Sequence, residues 1–193
     1  MRTNKFFLVI SLLFFTLAAQ AAYQLESAES SLHFVSIKKG KIGEVHSFGQ
    51  LSGGISDKAV AQVSISLASV NTNIGIRDER MKTMLLETGV FPAAIVTVNL
   101  GAVQLASIGV GDVVVKTLEL TLELHGKSKL MQTEVQIVGL NNGALLVNSI
   151  KPIMLNAFDF GLNAGIHKLM EVAKLPSIAT AVPVSFSLVF KPQ

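Results

Sequence analysis

Four histidines and one arginine–aspartate pair are the residues of this sequence whose types could support metal binding or acid–base chemistry. The histidines are His33, His46, His125 and His167. A transition-metal site needs ligands at a matched spacing, and the sequence has neither a ligand-spaced histidine pair nor any cysteine. We therefore predict no metal site and no cofactor.

Catalysis would need a nucleophile beside its base, or paired carboxylates in a cleft. The sequence offers scattered histidines, 13 acidic residues and no cysteine, without a spacing that suggests such a site. We therefore predict a binding protein rather than an enzyme. An enzyme that acts on a lipid inside a pocket stays as a weaker hypothesis, with His125 and Asp159 as its candidate residues.

Arg77 and Asp78 form the strongest polar pair, and they stand just before Met81, Met84 and Leu85, which are spaced as on one face of a helix. An aspartate at a helix start stabilises the helix, and an arginine there can pair locally. Alternatively, both residues are candidates for holding a polar head group such as a pyrophosphate or a quinone oxygen. The three apolar residues are either a lid or a satellite core.

The elements that must position these residues are mostly strands. In residues 113–138, apolar and polar side chains alternate on both sides of His125-Gly126. Because successive side chains of a strand point to opposite faces, this pattern predicts a long hairpin with one apolar face. The inward positions are Leu118, Leu120, Leu122, Leu124, Val135 and Ile137.

Similar alternation recurs along the chain, and only two short segments, which begin near Arg77 and near Ile166, have helical spacing. We therefore predict an all-β fold with two short helices. A sheet with no long helix to cover its apolar side must fold on itself, so we expect a closed antiparallel β-barrel of about eight strands. Phe186 and Leu188 join the predicted inward face. Phe158 and Phe160 are either at its mouth or part of a capped turn buried under the final helix.

The inside of such a barrel can be vacant or filled. A vacant, apolar lumen would bind a long apolar molecule, because each buried methylene group contributes about 0.8 kcal/mol. In the filled alternative, the same side chains meet across the axis, and the barrel is a structural or protein-interaction module without a ligand. A homodimer is compatible with either alternative, because half of the residues are hydrophobic and only 15% are charged.

The first residues have the pattern of a secretory signal peptide. Arg2 and Lys5 precede the uncharged run 6–18, which ends in Ala19-Gln20-Ala21. The run is too short to span a bilayer comfortably, so we predict cleavage after Ala21 and no stable membrane insertion. We expect residues 22–193 to form a single domain with a periplasmic or secreted location. Without this leader the net charge falls from +3 to +1, and no arginine–aromatic stripe suggests nucleic acid as a partner.

Four segments, taken in order, carry a resemblance to a known family. They are Tyr23-Gln24-Leu25 with residues 31–34, Ser69-Val70-Asn71-Thr72 with Arg77-Asp78 and Phe91-Pro92, residues 122–129, and Phe158-Asp159-Phe160-Gly161. Together they resemble the YceI-like family of exported, lipocalin-like barrels that bind polyisoprenoid lipids.

The resemblance implies that the lumen carries a long-chain isoprenoid or a quinone-like lipid. Two positions differ from the family pattern. This chain has Lys38-Lys39 where the family commonly has a histidine, and Ala157 where it commonly has an arginine. Both family residues would be candidates for holding a head group, so a different lipid, or none, stays open for this chain.

Overall fold

The computed structural model describes residues 21–101 and 103–193, so the predicted signal peptide lies outside the described residues except for Ala21. Strands account for most of the regular structure. They are β1 (Ala21–Leu25), β2 (Ser31–Lys38), β3 (Ile42–Phe48), β4 (Leu51–Ser56), β5 (Val60–Ser66), β6 (Val70–Asn71), β7 (Ala93–Asn99), β8 (Val113–Leu124), β9 (Lys127–Gly139), β10 (Leu145–Ser149), β11 (Ile153–Asn156) and β12 (Ala181–Pro192).

Two short helices interrupt the strands, as the sequence predicts. Helix α1 (Gly75–Arg80) continues without a break into a π-helical turn (Met81–Leu85), and α2 (Asn163–Ala173) follows a 3-10 turn (Ala157–Phe160). No helix within 21–101 or 103–193 has the length and apolar character needed to cross a bilayer.

The strands form a closed antiparallel wall. β1 and β2 both run along β12, as do β10 and β11, so each of these pairs forms the two halves of one bent strand. β3 and β4 run along β2 and β1 and form a third bent strand, and β6 and β5 run along β3 and β4 and form a fourth. These four bent strands and β7, β8, β9 and β12 make eight wall strands in sequence order. Closure occurs where β12 pairs with β1 and β2, for example Phe190 with Leu25. The prediction of a closed barrel of about eight strands is confirmed.

The β8–β9 hairpin matches the sequence pattern closely. Its register runs from Val113 opposite Val138 to Leu124 opposite Lys127. The two turn residues, His125 and Gly126, have φ values of +51° and +70°, which is the geometry of a two-residue type I′ turn. One face of the hairpin, from Leu118 to Leu124 and from Met131 to Ile137, therefore points into the barrel.

A cap made of α1, the π-helical turn and α2 covers one end of the barrel. Gly165 of α2 packs against the backbone of the π-helical turn, where a Cβ atom would lie 2.6 Å from the carbonyl oxygen of Met84. The opposite end is covered by residues 103–112, because Gly111 N donates to Gly139 O at 2.9 Å and Gly139 N donates to Asp112 O at 3.0 Å. The apolar core lies between these two ends.

Candidate functional site

The barrel contains an apolar cavity of about 560 Å³. This volume falls within the range of roughly 300–1,000 Å³ that is usual for small-molecule sites. Several side chains that line it, including Leu32, Leu118 and Phe186, are only half-buried although they lie on the inside of the wall. Side chains that met across the axis would be fully buried, so the filled-core alternative does not describe this barrel.

Most of the predicted inward residues line this cavity, because the alternation in β8, β9 and β12 puts every second side chain on the inner face. They are Leu118, Leu120, Leu122, Leu124, Val135, Ile137, Phe186 and Leu188. Met81, Leu85, Phe160 and Arg77 also line the cavity. Their contact with a ligand stays a prediction.

Met84 does not line the cavity, and the helical spacing assumed for it is wrong. Leu86 N donates to Met81 O at 2.8 Å across five residues, which is the hydrogen bond of a π-helical turn. This wider turn brings Leu86, rather than Met84, to the cavity beside Met81 and Leu85. Leu86 is the residue that sequence reasoning missed here.

Phe158 was also misplaced by the sequence pattern, since its side chain is exposed rather than at the cavity. The segment Ala157–Phe160 is a 3-10 turn, in which residues three apart lie on the same side. Ala157 and Phe160 therefore face the cavity together, and Phe158 points away. The amide of Phe158 donates to the side chain of Asn156, which caps the turn.

Asp78 stabilises the start of the cap and does not line the cavity. Its Oδ1 atom accepts hydrogen bonds from Thr72 N at 2.8 Å and from Thr72 Oγ1 at 2.5 Å. The same threonine accepts from Arg77, whose Nη2 donates to Thr72 O at 2.6 Å. Of the two predicted head-group residues, only Arg77 lines the cavity.

A polar cluster made of Ser36, Lys38, Glu44, His46 and Arg77 lines one end of the cavity, whose other lining residues are mostly apolar. Arg80 and Thr133 line the cavity as well. Glu44 Oε2 lies 2.8 Å from both Lys38 Nζ and Arg77 Nη1. The hydrogen bond from Lys38 lowers the pKa of Glu44 more than desolvation raises it, and the charge of Arg77 lowers it further. Glu44 is therefore an anion that holds both cations in place.

His46 is the functional candidate that sequence reasoning missed. Its side chain is buried, and its Nε2 atom lies 2.8 Å from Ser36 Oγ. Its Nδ1 atom and the Nε atom of Arg77 are buried without a hydrogen-bond partner in the described part of the chain. Buried polar atoms are nearly always paired, so two unpaired nitrogen atoms on neighbouring residues set this wall apart from the apolar rest of the barrel.

Burial, and secondarily the charge of Arg77, lower the pKa of His46. The folded protein therefore disfavours protonation of this ring, whereas the unfolded chain takes up a proton near pH 6.5. The contribution of the neutral His46 ring to the free energy of unfolding is fully present above that pH. It is lost as the pH falls from there through the lower pKa that His46 has in the folded protein.

We expect the free energy of unfolding to fall between about pH 7.5 and about pH 5, and to fall less in His46→Leu. Urea denaturation at the two pH values measures this difference. His33→Leu is the matched control, since His33 is exposed on β2 and should leave the pH dependence unchanged. An equal fall in wild type and His46→Leu would contradict the assignment.

The cavity opens beside the polar cluster. Ile74, Ile76 and Val172 line it and are exposed, with 61% exposure at Ile76, and together they form the mouth. The mouth therefore lies at the end that carries Arg77, between α1 and α2. An elongated ligand with one polar end would fit with its chain inside and its polar end near the mouth.

The two residues of the enzyme hypothesis lie apart from this cavity. His125 Nε2 lies 2.9 Å from Glu87 Oε2, and its Nδ1 lies 3.2 Å from Phe160 O. Asp159 instead pairs with Lys129 at the surface. His125 therefore ties the β8–β9 hairpin to the segment after the π-helical turn, and does not share a site with Asp159.

Comparison with known proteins gives one family and two informative structures. The family model described as "YceI-like domain" matches residues 23–190. A polyisoprenoid binding domain from Saccharophagus degradans, implicated in plant cell wall breakdown, is 38% identical with a TM-score of 0.88, over 90% of this chain and 100% of that one.

BcnA from Burkholderia cenocepacia is more distant, at 15% identity and a TM-score of 0.66, over 86% of this chain and 98% of that one. At this identity the likeness shows the fold alone. No curated protein matches the sequence.

Proposed function

Because this chain belongs to the YceI-like family, we propose that it is an exported, periplasmic protein that holds the apolar chain of an isoprenoid lipid inside its barrel. The observation that carries this proposal is the vacant apolar cavity of about 560 Å³. The similar domain from Saccharophagus degradans, which is described as polyisoprenoid binding, supports the same ligand class.

The energetics of burial are sufficient for useful affinity. An isoprenoid tail offers apolar surface, and roughly fifteen buried carbons would contribute on the order of 12 kcal/mol before the costs of association. Those costs subtract several kcal/mol, which leaves binding in the micromolar range or tighter. No catalytic group is needed for this function.

The polar cluster gives the bound lipid a direction. We place the head group beside Arg77 and His46, because both line the cavity at its polar end and the guanidinium of Arg77 has more N–H donors than Glu44 Oε2 and Thr72 O accept. The chain then runs inward over the apolar residues. We propose that these contacts are made by Leu118, Leu120, Leu122, Leu124, Val135, Ile137, Phe186, Leu188, Met81, Leu85 and Phe160. A quinone-like ligand and a homodimer stay predictions.

The proposal is tested by recovering the protein under mild conditions and analysing its organic extract by mass spectrometry. We expect a prenyl lipid in the extract, or uptake of an added prenyl alcohol by protein that has been stripped of lipid. A fatty alcohol of equal carbon number serves as the control for general apolar binding. Repeated absence of bound lipid, together with no uptake, would contradict the proposal.

A further inference from the structure

The wall of the barrel is split on one side, between β9 and β11. The second half of β9 pairs with β10 from Val135 to Gly139, and the last bond between these two segments runs from Ile150 N to Glu134 O. The first half of β9 pairs with β8, and β11 pairs with β12. Among the described residues, no backbone hydrogen bond joins residues 127–133 to β11.

A groove of about 610 Å³ lies on the outer side of this split. Met131, Thr133 and Ile153 line both this groove and the inner cavity. The two spaces are therefore separated there by side chains rather than by paired backbone. Methionine is flexible enough to move aside for an apolar chain.

The edges of the groove are defined by ion pairs and exposed apolar residues. Lys129 of β9 pairs with Asp159 at one end, and Glu134 pairs with Lys151 at 3.1 Å near the other. The strand between these pairs measures about 16 Å at 3.3 Å per residue. Leu130 and Met154 flank the groove with 61% and 57% exposure, which provides apolar surface outside the barrel.

We propose that this split is a side window through which the far end of a long bound chain leaves the cavity and lies against Leu130 and Met154. The inference rests on the proposed lipid-binding function. The lipid chain is the occupant that we infer for the window, because Met131, Thr133 and Ile153 line both the inner cavity and the outer groove. The end opposite the mouth is covered by residues 103–112, so a chain longer than the cavity is directed to the window.

Photocrosslinking tests the path of the chain directly. A long prenyl alcohol with a diazirine at the end remote from its hydroxyl is bound to the intact protein, irradiated, and mapped by peptide mass spectrometry. We expect crosslinks to Leu130 or Met154. Crosslinks confined to Leu100 and Leu105, which line the closed end, would overturn the window while leaving lipid binding intact. Absence of any uptake would overturn both proposals.

Removing apolar surface outside the window gives a second, independent test. Met154→Asp should weaken binding of solanesol about tenfold, the effect of roughly two methylene groups losing their burial. It should leave binding of the much shorter farnesol unchanged, because Met154 lines the groove and not the cavity. Val113→Asp is the control for an added surface charge, because Val113 of β8 is exposed like Met154 and lines neither space. Equal losses for the two alcohols, or none for solanesol, would overturn the window.

Discussion

Leu120→Phe is expected to weaken prenyl-chain binding roughly 50-fold and to change the free energy of unfolding by less than about 1 kcal/mol. Leu120 is buried in the wall and lines the cavity, so the larger ring would extend into space that the ligand occupies. Displacing about three methylene groups at about 0.8 kcal/mol each gives this loss. Calorimetric titration with a prenyl alcohol and denaturant unfolding measure the two quantities.

The control for this variant is Thr97→Phe, which adds the same ring on β7, at a position that lines neither the cavity nor the groove. It should leave binding unchanged. A filled interior would respond to Leu120→Phe in the opposite way, with a loss of roughly 1–3 kcal/mol in stability from overpacking and no change in uptake. That pattern would contradict the carrier proposal.

Gly165→Ala is expected to destabilise the protein by about 1–3 kcal/mol, although alanine is the better helix former by about 1 kcal/mol. The added Cβ atom would lie 2.6 Å from Met84 O and 2.7 Å from Leu85 Cα. Both are backbone contacts, so α2 must move away from the π-helical turn. Urea denaturation measures the loss, and hydrogen exchange at the cap shows where it occurs.

Gly75→Ala provides the same substitution in α1, where a Cβ atom would meet nothing within 4 Å. The substitution then changes helix propensity alone, and we expect the free energy of unfolding of Gly75→Ala to equal or exceed that of the wild type. If Gly165→Ala were as stable as Gly75→Ala, the close packing of α2 on the π-helical turn would not contribute to the stability of the cap.

The β8–β9 hairpin could be predicted from the sequence because one rule governs it throughout. Strict alternation from Leu118 to Leu124 assigns each side chain to a face, and the His125-Gly126 turn fixes the register. Closure of the barrel also follows from local pattern, since no long helix is available to cover an open sheet. These features need no knowledge of distant contacts.

The helical segments were predicted less well, because their exact turn geometry depends on tertiary packing. Met81, Met84 and Leu85 have the spacing of an α-helix, but the chain widens into a π-helical turn, which brings Leu86 inward. Likewise, a 3-10 turn turns Phe158 outward. Neither turn leaves a distinctive signal in the sequence.

His46 was missed for a different reason. Its alternation with Glu44 and Phe48 in β3 would have placed it on the inner face, but a lone histidine attracts attention mainly as a metal ligand or a catalytic base. Its unpaired Nδ1 atom becomes apparent only when the neighbours of the ring are known. The mouth likewise depends on contacts between α1, α2 and the β2–β3 hairpin.

The pairing of the first strand with the last sets the order in which this molecule can assemble. Each strand from β3 to β10 can pair with a segment already made, but Leu25 waits for Phe190, at the far end of the chain. Contacts of such long sequence separation slow folding, and until they form two strand edges are open to other chains. A nascent chain that lacks its final dozen residues is therefore an aggregation-prone sheet rather than a container.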